Sequence, residues 1–223
     1  MELRDYQQKV ADSLEKNGKV VALLPRRSGK TSLGLELCLR QCDREKSNVY
    51  FIMPFYWDCD WKFYLGNRLR SYKKKIYGRN KKRMAIITFS NESQLIICGS
   101  YNLSLISFND PLLKGIVFDE YALHKSDVQY FNSLYTNNDD YWILWISTPK
   151  HINGCEHLYD LNRYAKGVPH LIETMKFTID DTKHLDPEII NRLQGESDQD
   201  FVRSSFYCEF PGSDSYEQRN TSE

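Results

Sequence analysis

The chain has 223 residues, 41% of them hydrophobic and 13% aromatic, with 30 basic residues balanced by 30 acidic ones. This suits one large domain, or one domain with a small lid, and excludes a disordered chain; no apolar stretch approaches the length of a membrane span. Six scattered cysteines without a C-x-x-C pair read as reduced, buried thiols of a cytoplasmic protein, not as a disulfide framework or a zinc site.

Leu3, Tyr6, Val10 and Leu14 fall at helical spacing and predict a helix over residues 3–14. Residues 19–24 form a short apolar run ended by Pro25 and Gly29, which reads as a buried strand. In 31–41, Leu33, Leu35, Leu37 and Leu39 alternate, yet 33/37 and 35/39 are also i, i+4 pairs. Length and position make this segment a helix buried on more than one face. Residues 49–53, 84–89, 94–98, 115–118 and 142–146 read as further strands. Continuous apolar strands between helical or loop segments predict an α/β fold with a mostly parallel sheet covered on both faces. Ligands in such sheets bind beyond the carboxyl ends of the strands.

Four motifs fall at those ends. Pro25-Arg26-Arg27-Ser28-Gly29-Lys30-Thr31 lies between a strand and a helix. A triphosphate needs converging backbone N–H donors and the positive end of a helix dipole. Gly29 lets the backbone come close, Lys30 neutralises the outer phosphates, and the Thr31 hydroxyl holds Mg²⁺. One departure from the usual phosphate loop is Leu24, where a leading glycine is expected. The strand 115–118 ends in Asp119 and Glu120; burying two such charges unpaired costs several kcal/mol. Beside a phosphate loop they have a purpose: Asp119 sits by the metal on Thr31, and Glu120 positions the attacking water. Ser147-Thr148-Pro149 follows an aromatic strand, where small hydroxyls can report on the γ-phosphate. Leu3-Arg4-Asp5-Tyr6-Gln7 offers an amide matched to the adenine edge and an aromatic ring to stack on it.

In this order and spacing the four elements resemble the ATPase domain of phage and herpesvirus-type large terminase subunits, over residues 3–210. That family tolerates a phosphate loop without its first glycine and often carries arginine at the place of Arg26. It follows the acidic pair with small or apolar residues and often histidine, as in Asp119-Glu120-Tyr121-Ala122-Leu123-His124, and then has Ser-Thr-Pro, as at Ser147-Thr148-Pro149. The resemblance implies a P-loop NTPase fold of the RecA/ASCE type, with a core over 1–166, a lid over 167–212 and a polar tail over 213–223. It implies Mg-dependent ATP hydrolysis driving double-stranded DNA into a viral capsid. The catalytic residues it implies are Glu120, Lys30 and Arg26, with Arg27 the alternative cis arginine. Nucleotide contacts would come from Tyr6, Gln7, Arg27, Ser28, Gly29, Lys30, Thr31, Ser147 and Thr148, and metal contacts from Thr31 and Asp119. Implied partners are a homo-oligomeric ring, the capsid portal and the small terminase subunit, in the host cytoplasm. Family members usually continue into an RNase H-like nuclease domain; with the chain ending at Glu223, no DNA cutting is expected of it.

The segment 68–83 carries Arg68, Arg70, Lys73, Lys74, Lys75, Arg79, Lys81, Lys82 and Arg83 with no acidic residue, leaving the rest of the chain nine charges negative. It is the candidate contact to the DNA backbone. A helicase-type translocase shares the Arg-x-Tyr-Gln start and the Asp-Glu pair, but too few residues follow Pro149 to build a second RecA-like domain. A non-hydrolysing, nucleotide-gated assembly protein is the reading from a different class.

Overall fold

A run of fully buried residues, Lys19–Leu23 (β1), starts the core and leads into the helix Lys30–Arg44 (α2). The computed structural model describes residues 2–54, the backbone of 73–77, 84–107, 109–124, 140–150 and 154–213. The helix Asp5–Asn17 (α1) precedes β1. After α2 come the strands Asn48–Met53 (β2), Lys73–Tyr77 (β3), Met84–Thr88 (β4), Gln94–Gly99 (β5), Leu113–Asp119 (β6) and Trp142–Ser147 (β7). They are followed by the helix Glu156–Gly167 (α3), the strand Glu173–Lys176 (β8), and the helices Ile179–Thr182 (α4), Pro187–Glu196 (α5) and Gln199–Tyr207 (α6).

The strands make one sheet in the order β3-β4-β5-β2-β6-β7-β1-β8. The pairs β2·β5, β2·β6, β6·β7, β1·β7 and β1·β8 are parallel, and β3·β4 and β4·β5 are antiparallel. The mostly parallel sheet expected from the apolar runs is therefore present, with two antiparallel pairs at one edge.

Alternation along each strand divides the core between the two faces. Val20, Ala22, Val117, Leu144 and Ile146 join Leu33, Leu35, Leu37 and Leu39 of α2 and Val10 and Leu14 of α1 on one side. Val21, Leu23, Ile116, Phe118, Ile143 and Trp145 meet Leu158, Leu161 and Ala165 of α3 on the other. All four leucines of α2 are buried, so the ambiguous alternation is that of a helix covered on several sides.

Two strands carry no apolar run and were legible only through pairing. β8 (Glu-Thr-Met-Lys) lies beside β1, so the stretch read as a lid gives the sheet a strand before its helices begin. Those helices carry their own caps: the Asp186 carboxylate accepts from the Glu188 N–H ahead of Pro187, and Asp198 accepts from Phe201. Ile179, Val202 and Phe206 form a small separate core among them. The other strand, β3, places Lys73, Lys74 and Lys75 on a sheet edge by backbone alone. The side chains of the basic segment 68–83 lie outside the described residues, as does the tail from 214.

Among the described residues no helix is long and apolar enough to cross a membrane. Cys38, Cys42, Cys98, Cys155 and Cys208 are buried free thiols.

The start of β6 depends on a missing side chain. A Cβ on Gly115 would lie 2.3 Å from Cε2 and Cζ2 of Trp142, whose indole N–H donates to the Gln41 side chain. Gly115→Ala must push that ring aside and break its hydrogen bond. Overpacking of this kind typically costs about 1–3 kcal/mol, and urea unfolding of the variant is expected to show a loss in that range.

Candidate functional site

β6, β7 and β1 are neighbours and parallel, so their carboxyl ends bring residues 119–120, 147–148 and 25–31 to one edge of the sheet. The turn after β1 takes two left-handed residues, Gly29 (φ 81°) and Arg27 (φ 61°), before α2 begins at Lys30. Glycine adopts such a conformation freely, whereas arginine does so at about 1–3 kcal/mol. Neighbouring elements tie the carbonyls of the turn. The Tyr6 hydroxyl donates to Ser28 O at 2.5 Å and the Gln7 amide to Gly29 O at 3.1 Å. The His184 Nε2–H donates to Arg26 O at 2.8 Å, and the Arg26 N–H donates to Ser205 O at 2.8 Å.

Leu24 replaces the expected glycine for a reason visible in the sheet. It is fully buried, its N–H donates to Ser147 O at 2.9 Å, and its carbonyl accepts from the Thr148 hydroxyl at 2.7 Å. The residue extends the β1·β7 ladder and needs no left-handed backbone.

Lys30 is buried, and its ammonium group donates to Thr148 Oγ1 at 2.7 Å and Pro25 O at 3.2 Å while pairing with Glu120 Oε1 at 3.1 Å. Next to it the Thr31 hydroxyl donates to Asp119 Oδ2 at 2.7 Å. Asp119 Oδ1 is buried without a hydrogen-bond partner, as is Ser28 Oγ. Burial, and then the charge of Glu120, push the Asp119 carboxyl up to about 7, with the Thr31 hydrogen bond and Lys30 offsetting part of the rise. A hydroxyl and a carboxylate with a spare buried oxygen fit Mg²⁺, which takes one or two protein oxygens and leaves its other positions to phosphate and water. Among the described residues no group of three or more His, Cys, Asp or Glu is placed to hold a metal.

Glu120 has a left-handed backbone (φ 49°), and the short 3-10 turn Tyr121–Leu123 follows it. Ser147 Oγ accepts from the Ala122 N–H at 2.9 Å, and the His124 Nε2–H donates to Asp119 O at 2.9 Å. Ser147 and Thr148 thus touch both the acidic pair's segment and the turn after β1. Arg26 and Arg27 are exposed, and the Arg26 guanidinium lies 5.6 Å from the ring centre of Phe201 in α6. Tyr6 and Gln7 meet the loop from α1, where Gln7 also accepts from the Arg4 N–H at 3.0 Å. Sequence reasoning missed His157, His184, Phe201 and Ser205, because their contacts are to backbone carbonyls, a backbone N–H or a guanidinium and leave no spacing pattern. A cleft of about 880 Å³ lined by Lys19, Arg40, Lys114 and Trp142 lies at the opposite ends of the strands, away from every one of these groups.

Two buried groups here titrate in opposite senses. Burial lowers the His124 imidazole to about 4, so the unfolded chain takes up its proton first and stability falls as pH drops from about 6.5 toward 4. The raised Asp119 carboxyl binds its proton first in the folded chain, so stability rises as pH drops from about 7 toward 4. In the metal-free protein the two slopes offset each other. Relative to wild type, His124→Gln is expected to gain about 1–3 kcal/mol between about pH 7 and about pH 5, and Asp119→Asn to lose a similar amount. Urea unfolding at the two pH values checks both signs.

No protein-family model and no curated protein sequence matches the chain. Among solved structures it is similar to the large terminase of a thermophilic bacteriophage in complex with ADP. The TM-score is 0.68 at 16% identity, covering 94% of this chain and 54% of that one. The same phage protein in complex with ATP-γ-S gives 0.66 at 15% identity. The large terminase ATPase domain of Thermus phage P74-26 gives 0.63 at 18% identity, covering 94% of both chains. The chain spans about half the length of the first of these proteins and nearly all of the P74-26 domain. It has the fold of phage large terminase ATPase domains.

Proposed function

We propose that this chain is the ATP-hydrolysing motor domain of a viral large terminase, acting in a homo-oligomeric ring that drives double-stranded DNA into a capsid. The observation that carries the reading is the meeting of Lys30 and Thr31 with Asp119, Glu120 and Thr148 at adjacent strand ends, with contacts of 2.7–3.1 Å between them. The nucleotide complexes of the thermophilic-phage terminase, whose fold this chain shares, support it.

In this reading the turn 25–29 cradles the phosphates with its backbone, Ser28 Oγ adding a hydroxyl. Lys30 would leave Glu120 and Thr148 for the outer phosphates, and Thr31 and Asp119 would hold Mg²⁺, whose charge would offset that of the phosphate oxygens. Glu120, 35% exposed and freed from Lys30, orients and polarises the attacking water. Arg26 meets charge developing on the transferring phosphoryl group. Ser147 and Thr148 link phosphate-loop occupancy to the Glu120 turn, and Tyr6 and Gln7 would be the residues on the adenine side. The basic segment 68–83 is the proposed contact to the DNA backbone, with the capsid portal and a small terminase subunit as further partners.

The test is Mg-dependent ATP turnover by the purified chain at several protein concentrations, with and without double-stranded DNA. Turnover that rises with concentration or DNA supports a motor subunit completed by its neighbours. Nucleotide binding without turnover under any of these conditions points instead to a nucleotide-gated assembly protein.

A further inference from the structure

Glu120 is held in a left-handed conformation that a glutamate adopts only at a cost of about 1–2 kcal/mol, so the turn that follows has to be restrained by its surroundings. Side chains from three described residues hold its backbone by hydrogen bonds. His124 holds Asp119 O from within the same segment, and Ser147 holds the Ala122 N–H from the end of β7. The third is His157, in the first turn of α3, whose Nε2 lies 2.7 Å from Tyr121 O. A carbonyl can only accept, so Nε2 carries the proton there.

The His157 ring is buried and packs edge-on against Tyr121, with centroids 5.0 Å apart and planes at 72°. Tyr121 is itself fully buried between Phe118 and His124. The same Tyr121 carbonyl also accepts from the His124 N–H at 3.0 Å, the bond that closes the 3-10 turn. His157 therefore grips the turn at the point where its fold is decided, one residue past Glu120, without touching the phosphate loop.

We infer that His157 is a positioning residue for Glu120: its hydrogen bond to Tyr121 O fixes the strained turn and so aims the carboxylate. Because His157 sits on α3, a shift of that helix would carry the Glu120 turn with it. This inference rests on the proposed role of Glu120 in ATP hydrolysis.

The experiment compares His157→Phe, which keeps a ring and loses the donor, with His157→Gln, which keeps a donor. If His157→Phe does not fold, His157→Asn, whose shorter amide falls short of the carbonyl, takes its place. The donor-less variant is expected to lower kcat about tenfold with KM for ATP unchanged, and His157→Gln to restore most of it. In a Glu120→Gln background the same change is expected to cost nothing further, since there is no carboxylate left to aim. Amide hydrogen exchange over residues 120–123 is expected to speed up about tenfold in the donor-less variant, with exchange in β6 unchanged. An unchanged kcat, an equal loss in the Glu120→Gln background, or unchanged exchange at 120–123 overturns the inference. Should the wild-type chain not turn over ATP, the reading of Glu120 fails, while the exchange measurement still decides whether His157 holds the turn.

Discussion

Glu120→Gln is expected to lower ATP turnover by on the order of 10²–10⁴-fold, the range in which a positioned acid–base group contributes, with nucleotide affinity nearly unchanged. The substitution keeps the side-chain length and leaves an amide oxygen to accept from Lys30, so the 3.1 Å contact has a neutral counterpart. Only the charge and the proton-accepting capacity are lost. The electrostatics of the site predict that binding will not suffer, because the Glu120 charge is one of the causes that raise the Asp119 carboxyl to about 7. Removing it makes Asp119 easier to ionise and so a better partner for a cation. Single-turnover hydrolysis and equilibrium titration with a fluorescent nucleotide separate the two effects. Turnover close to wild type would remove Glu120 from the chemistry, whereas a collapse of affinity would make it part of nucleotide binding.

The parts of this fold that were legible in the sequence are those written in buried apolar runs. β1, β2, β6 and β7 are parallel strands covered on both faces, so nearly every residue is hydrophobic and the run announces itself. The turn 25–31 and the acidic pair were singled out because polar and charged residues stand at the ends of apolar strands, and the structure brings Lys30 and Thr31 against Glu120 and Asp119. Leu24 marked a departure from the usual loop, and its reason, a ladder contact to Ser147, lies in a neighbouring strand 123 residues later in sequence.

What remained hidden was carried by backbone partners. Glu173–Lys176 has one apolar residue in four and becomes a strand because β1 offers it a free edge. His157 and His184 act on main-chain carbonyls, which every residue has, so no side-chain pattern points to them. Gln7 shows the same difficulty from the other side. Its amide, the proposed adenine contact, also braces Gly29 O and the Arg4 N–H, contacts that depend on how α1 packs against the loop.

Arg26→Ala is expected to lower kcat by on the order of 10³-fold or more, the scale of an arginine acting on a transferring phosphoryl group, while Arg27→Gly leaves most of it intact. The two neighbours differ in how they are held. Arg26 is fixed through its backbone on both sides, by Ser205 O and by His184, while its guanidinium rests over Phe201. A cation–π contact at an exposed site is worth only about 0.5–1 kcal/mol, so the side chain can leave Phe201 for a phosphoryl group at little cost while its Cα stays in place. Arg27 has the left-handed backbone that glycine adopts without penalty, so Arg27→Gly keeps the loop shape and removes only the guanidinium. Arg26→Lys is expected to recover little, because a point charge cannot span two phosphoryl oxygens as a planar fork does. A kcat unaffected by Arg26→Ala and lost in Arg27→Gly would exchange the two roles. Equal, modest losses in both would instead mean that the pair serves to attract the triphosphate, with the arginine acting at the reacting phosphoryl group supplied from another subunit of the proposed ring.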